Sequence, residues 1–231
     1  MAIELQTGKP FAAPTVEWLA VRLVVDSYYD RFIADATHPA VRIEHTRHIR
    51  GHERSTLAGE WGLSLHLESR SAGKTARYLL DFGYTPEILN RNFGLLDLDA
   101  GALDGLILSH GHLDHYGGLL GFVAHHRTQM RADLKLFAGG EANFDEKWIK
   151  RKEGGVVSWG RLDRAALEGA RVETVCCDAA HALAGPFTTG QIGRGSFERV
   201  LENTLVAPAG AEPSDHFTEA ELAGRLVPDR H

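Results

Sequence analysis

Within six residues, His110-Gly111-His112-Leu113-Asp114-His115, the chain gathers three imidazoles and a carboxylate. Imidazole nitrogens and carboxylate oxygens are the donors that divalent transition metals take from proteins, so the chemistry this stretch offers first is metal binding. The pattern H-x-H-x-D-H arises in a random chain of this composition at odds of roughly 0.2%, which makes a polar loop of merely solvated histidines the weaker account. In extended backbone, residues two apart project to the same side, so His110, His112 and Asp114 converge on one pocket. His115 joins them only if the chain turns, and Gly117-Gly118 supplies a place to turn.

The elements that must position these side chains can be read on either side. Leu103 to Leu108 is an apolar run that reads as the strand delivering the loop, and Leu119, Leu120, Phe122 and Val123 give the following helix its apolar face. His125 and His126 fall near that helix's C-terminus, facing solvent and outside the site. Upstream, Thr85-Pro86-Glu87 predicts a helix start: a capping hydroxyl, proline at the first helical position and an acid in the first turn. Before it, Leu63 to Glu68 and Arg77 to Gly83 read as a hairpin turning at Gly73. The alternation places His66 on the polar, solvent-facing side. Asp81 closes the second strand; it is either a turn-former or a hydrogen-bonding support for the metal loop.

Val21 to Asp26 is the first clear strand, and Asp26 at its end is either a pocket residue or a turn carboxylate. Residues 1–14 form a weakly specified lead-in. Residues 27–60 read as a long loop of the kind that serves as a lid or binding loop. Arg47, His48, Arg50, His52 and Arg54 make it basic, either as a solvated surface or as a steering patch for an anionic substrate. After the motif, Leu134 to Ala138 predicts a strand, residues 141–160 a polar flap and Leu162 to Ala170 a short helix. Arg171 to Cys177 predicts a further strand, and Gly185 to Gly193 a strand followed by a loop. His181, between those two, is the one later histidine able to complete a metal site.

A chain of 231 residues with 43% hydrophobic and 24% charged side chains can bury a substantial core as one large domain or two small ones, and reads as a single domain over 1–231. A formal charge of -6 argues against nucleic acid or an anionic membrane as partner and favours a small-molecule substrate. Cys176 and Cys177 are the only cysteines, adjacent and unsuited to a disulfide or a C-x-x-C site, which points to reduced thiols and a cytoplasmic location. No leader pattern and no apolar run near the roughly 20 residues of a membrane span is seen.

His110-x-His112-x-Asp114-His115 after a buried strand resembles the signature of the metallo-β-lactamase superfamily. Val24-Val25-Asp26, Glu60-Trp61-Gly62-Leu63-Ser64-Leu65, Ser109 to Gly118 and Thr188-Thr189-Gly190-Gln191-Ile192 are similar to the branch described as dihydropterin ribofuranosyl-aminobenzene phosphate synthase-like. The resemblance implies an α/β (α+β) fold, a four-layer αββα sandwich with two divalent metal ions at one edge of the sheets. Zinc is the first expectation, with iron and manganese open. His110 and His112 would bind one metal, Asp114 and His115 the other, and Asp114 would also orient the attacking water. It implies a hydrolase whose metal-bound water attacks a small ester, lactone, thioester or phosphoester. Members ordinarily add a further His, a bridging acid and another His from the C-terminal half. No second cluster of that kind stands out here, and His216 and His231 lie in plain contexts. The expected fold is therefore incomplete at its C-terminus. That leaves a partial chain, a homo-oligomer or a complementing chain, or a non-catalytic metal-binding or assembly subunit, as the alternatives to a self-sufficient enzyme.

Overall fold

The computed structural model describes residues 2–4, 10–12, 15–30, 32, 34, 36–43, 54–190, 192, 203–207, 220–221 and 224–229. The basic residues Arg47, His48, Arg50 and His52, and also His216 and His231, lie outside the described residues. In chain order the elements are β1 (Ala2–Glu4), β2 (Pro10–Ala12), β3 (Trp18–Val25), β4 (Ala36–His38), β5 (Val41–Ile43), β6 (Ser64–Ser71), β7 (Lys74–Leu80), α1 (Pro86–Leu95), β8 (Gly105–Leu108), α2 (Leu113–Tyr116) and α3 (Leu119–His126). They continue with β9 (Lys135–Ala138), β10 (Lys147–Lys150), β11 (Val156–Gly160), α4 (Arg164–Gly169), β12 (Glu173–Cys176), β13 (Ala179–Ala182), β14 (Phe187–Gly190), β15 (Thr204–Val206) and β16 (Val227–Pro228).

The main sheet has six strands in the order β12-β9-β8-β7-β6-β3. β12, β9, β8 and β7 are mutually parallel, while β6 and β3 run antiparallel at the other side. Parallel strands need crossovers, and α1, α3 and α4 supply them. Leu79, Leu106 and Leu136, paired across β7, β8 and β9, are fully buried under Leu89, Phe93, Leu119, Phe122 and Leu167 of those helices. Phe93 of α1 meets Phe122 of α3 edge to face at 4.9 Å, which fixes the two helices side by side. The fold is mixed α/β, dominated by sheets with few helices, in keeping with an α+β sandwich.

The opposite sheet face carries Leu65, Leu80, Ile107 and Phe137 in one cross-strand row and Val21, Leu67 and Tyr78 in another. The small hairpin β13–β14 covers part of it, where Cys177 and Leu183 join Ala76, Tyr78 and Phe137. Toward β3 the face is open: Leu19, Val21 and Leu23 stay 59%, 51% and 54% exposed. A groove of about 230 Å³ runs beside them, lined by Val16, Leu19, Leu67, Tyr78, Pro186 and Phe187 among others.

Several sequence expectations are corrected here. His66 is buried rather than solvent-facing: it sits in the row of Leu79 and Arg22 on the helix side, and Leu65 and Leu67 take the open side. His126 is half-buried rather than solvent-facing, its ring packed on Phe93 and Phe122 at 5.4 and 4.7 Å. The Thr85 hydroxyl does not cap α1 but donates to Glu60 Oε2 at 2.7 Å. Within 27–60, β4 and β5 form a short hairpin, and the lead-in pairs β1 with β2. In the 141–160 stretch, β10 and β11 pair as a hairpin, and β10 also pairs with β15, which carries β16, giving a second sheet of four strands. The β6–β7 turn has Ala72 and Gly73 at φ 49° and 75°, the left-handed pair a two-residue hairpin turn requires.

Candidate metal centre

β8 ends at Leu108, and the chain then crosses the edge of the main sheet as Ser109 to His112 before entering α2 at Leu113. The turn needed to bring His115 back is therefore the first turn of a helix. Ring centroids of His110 and His112 lie 4.5 Å apart and those of His110 and His115 4.1 Å, so the three imidazoles do converge. Asp114 is buried beside them, its Oδ2 3.5 Å from His115 Nε2. Gly111 makes the crossing feasible, because a Cβ there would lie 2.1 Å from the carbonyl oxygen of Asn143.

Asp81 lies beneath this loop, almost fully buried and in the left-handed region at φ 57°, a conformation that aspartate tolerates better than most residues. Its Oδ1 accepts from Ser109 N at 2.8 Å, and its Oδ2 accepts from Ser109 Oγ and from His115 Nδ1, both at 2.7 Å. With its proton fixed on Nδ1, His115 turns the Nε2 lone pair toward Asp114. Burial disfavours the charged imidazole, but the hydrogen bond to Asp81 and the carboxylates of Asp81 and Asp114 outweigh it, so the His115 pKa is raised. Ser109 Oγ, which gives its hydrogen to Asp81, also lies 3.0 Å from His110 Nδ1.

Sequence reasoning missed three participants. His112 Nε2 donates to Asp229 Oδ2 at 2.9 Å, a buried carboxylate just beyond β16. Behind it, Lys147 of β10 is sealed from solvent; its Nζ donates to the Ala142 carbonyl at 2.7 Å and stands 3.9 Å from Asp229 Oδ2. Burial pushes the Lys147 ammonium's pKa down against the pull of Asp229 and Asp145. The third is Trp159 of β11, whose ring lies 5.4 Å from that of His112. None has a local signature: Asp229 and Lys147 sit in ordinary strand-edge contexts, and Ser158-Trp159-Gly160 marks no motif.

The remaining expected residues make no hydrogen bond or ring contact with this cluster among the described residues. Asp26 is exposed at the end of β3, its carboxylate accepting from Ser27 N at 2.7 Å. His181 is exposed in β13, stacked over Phe137 at 6.0 Å on the open sheet face. Among the described residues, no three His, Cys, Asp or Glu side chains form a ready-made metal cage. The donor types nonetheless suit a divalent cation, because Asp114 Oδ1 is buried and takes no hydrogen bond among the described residues, with the His115 ring beside that carboxylate. Also among the described residues, no helix is long and apolar enough to cross a membrane.

Comparisons with known proteins bear on this geometry. A 7,8-dihydropterin-6-methyl-4-(beta-D-ribofuranosyl)-aminobenzene-5'-phosphate synthase from Methanocaldococcus jannaschii is 35% identical over 84 residues, 36% of this chain and 27% of that protein. The chain thus matches little more than a quarter of that relative's length. Among solved structures, a metallo-beta-lactamase from Cronobacter sakazakii is 22% identical over 38% of this chain and 30% of its own, with a TM-score of 0.27. The Rm3 metallo-beta-lactamase is 15% identical over 57% and 45%, with a TM-score of 0.33. Residues 72–198, from the β6–β7 turn through the histidine loop and beyond β14, match the metallo-beta-lactamase superfamily as a family. Because that match takes in just over half of the sequence, the chain belongs to the metallo-beta-lactamase superfamily.

Proposed function

We propose that this chain is a metal-dependent hydrolase acting on a small ester, lactone, thioester or phosphoester, with His110, His112, Asp114 and His115 holding one or two divalent cations, zinc first and iron or manganese next. The observations that carry the reading are the convergence of the His110, His112 and His115 rings and the buried Asp114 carboxylate beside His115, one of whose oxygens takes no hydrogen bond among the described residues. A divalent cation supplies Lewis acidity, lowering the pKa of a water toward neutrality and stabilising negative charge on the centre attacked. The chain's own contribution is orientation. Asp81 keeps the His115 proton on Nδ1 and so presents Nε2 as a donor, a role whose loss typically costs 10- to 100-fold in metal affinity. Asp114 offers a carboxylate oxygen to cation or water, and Asp229 with Lys147 sets the orientation of His112.

A second reading, a metal-binding or assembly subunit without its own turnover, is favoured by the open apolar face at Leu19, Val21 and Leu23. Elemental analysis after zinc loading, together with hydrolysis of a generic aryl ester and a phosphodiester, separates the two. Bound metal and turnover, both abolished in His112→Ala, support the hydrolase. Metal without turnover supports the subunit, and no metal at saturating zinc overturns both.

A further inference from the structure

Ser109 stands immediately before the histidine cluster and is exposed, yet both of its polar donors are tied down. β7 and β8 run parallel with Leu80 beside Ile107, so the two strands end together and bring Asp81 up against Ser109. Asp81 N donates to the Ile107 carbonyl at 2.9 Å. Ser109 returns two hydrogen bonds to the Asp81 carboxylate, from N to Oδ1 at 2.8 Å and from Oγ to Oδ2 at 2.7 Å. A carboxylate oxygen only accepts, so the single hydroxyl hydrogen lies on the second of these bonds; placed elsewhere it would leave two acceptors facing each other with nothing between them. Toward His110 Nδ1, 3.0 Å away, the Ser109 oxygen can then only accept. The proton of neutral His110 therefore sits on Nδ1 and the lone pair on Nε2. His115 reaches Asp81 Oδ2 directly at 2.7 Å and Ser109 Oγ only at 3.5 Å, so it is oriented in the same way without the serine.

From this chain of contacts we infer that Ser109 is a positioning residue: it relays the charge of buried Asp81 to His110 and so fixes which ring nitrogen His110 presents to a cation. The inference rests on the reading of His110–His115 as the cation site. One buried carboxylate then orients two of the three imidazoles, whose rings lie 4.1 Å apart, one directly and the other through a hydroxyl. The hydroxyl is suited to this because an oxygen that donates to a carboxylate accepts more strongly from its other partner, each bond polarising the next. Partners of this kind hold a ligating ring in one tautomer and orientation, and their loss typically lowers metal affinity 10- to 100-fold. Ser109→Ala removes this link alone. The backbone bond from position 109 to Asp81 and the bond from His115 both stay, and an exposed side chain leaves no cavity behind.

The test reads the imidazole nitrogens by nitrogen NMR of the histidine-labelled, metal-free chain at roughly pH 9, well above the ordinary imidazole value of about 6.5. The expected spectrum shows His110 and His115 protonated at Nδ1. In Ser109→Ala the His110 signals should move toward a mixture of tautomers while those of His115 stay, and Ser109→Thr, which keeps the hydroxyl, should restore the parent pattern. Zinc affinity, measured by competition with a chromophoric chelator, should fall about tenfold in Ser109→Ala and stay near the parent value in Ser109→Thr, with the urea midpoint unchanged throughout. An Nε2-protonated His110 in the parent chain, an unchanged His110 spectrum in Ser109→Ala, or equal zinc affinity overturns the relay. A lowered midpoint with the tautomer unchanged marks a merely structural serine and overturns it as well. The relay and the hydrolase fail separately: a tautomer change without zinc uptake in the parent or either variant supports the relay and overturns the metal-dependent hydrolase, whereas zinc uptake without a tautomer change overturns the relay alone.

Discussion

His66 is almost completely buried between the antiparallel strands and the helix layer, with its Nδ1 3.5 Å from Arg22 Nη1. Burial first, then the Arg22 charge and to a lesser degree Arg77, lower its pKa to about 4, with Glu68 acting in the opposite direction. In the unfolded chain the same imidazole titrates near its ordinary value of about 6.5. The folded pKa being the lower one, the unfolded state binds the proton first as pH falls. The neutral side chain therefore contributes its full stability above about 6.5 and loses it progressively down to about 4, by on the order of 3 kcal/mol. His66→Gln, neutral throughout, should flatten that part of the pH–stability profile in urea denaturation between pH 7 and 4. An unchanged slope would place the acid sensitivity elsewhere. Alternation in Leu63 to Glu68 could not show this, because it separates two faces without saying which is inside; here the apolar set faces the open side of the sheet. The meeting of His110 and His112 was legible in their spacing, whereas His115 and Asp114 are placed by the helical turn of α2, which extended-strand alternation does not describe.

At the scale of elements, the segment before β6 holds the histidine loop in place. Asn92 of α1, wholly buried, donates to the carbonyls of Val24 and Ala58 at 2.7 and 2.8 Å and accepts from Ala58 N at 3.0 Å. It thereby ties the incoming chain to the end of β3. Gly62 then passes the loop at φ 133°, where a Cβ would stand 2.3 Å from the Asp114 carbonyl oxygen. Gly62→Ala is expected to cost about 2–4 kcal/mol, since left-handed strain adds to a backbone clash. Gly154→Ala, at φ 95° in the open turn between β10 and β11 with nothing within 4 Å, should cost only about 1 kcal/mol. Equal losses in guanidinium denaturation would show that the contact with Asp114 has no energetic consequence. The hairpin, α1, β8, β9 and α4 were readable because each is set by periodicity and punctuation within a dozen residues. The second sheet was not, because β10 pairs with β15 across a long separation and its sequence is polar.

For the whole molecule, the contrast lies between the two faces of the main sheet. One is sealed by α1, α3 and α4, and the other leaves Leu19, Val21 and Leu23 in a row on the edge strand β3. An exposed apolar edge promotes association, so sedimentation should show concentration-dependent self-association, reduced in the double variant Val21→Lys, Leu23→Lys. Identical sedimentation of the two proteins would show that the row does not drive contact. The hydrogen bond from His112 to Asp229 spans 117 residues. Closing so long a loop has an entropic cost that local pairings do not share, and it is offset only once the second sheet is in place. The environment of the central histidine is thus expected to gain protection later in refolding, by pulsed hydrogen exchange, than the loop's support from Asp81, 28 residues from Ser109 and 34 from His115. A destabilised tail would be felt at His112 as slower maturation and faster local opening, and the two ends of one histidine loop would report different stages of folding.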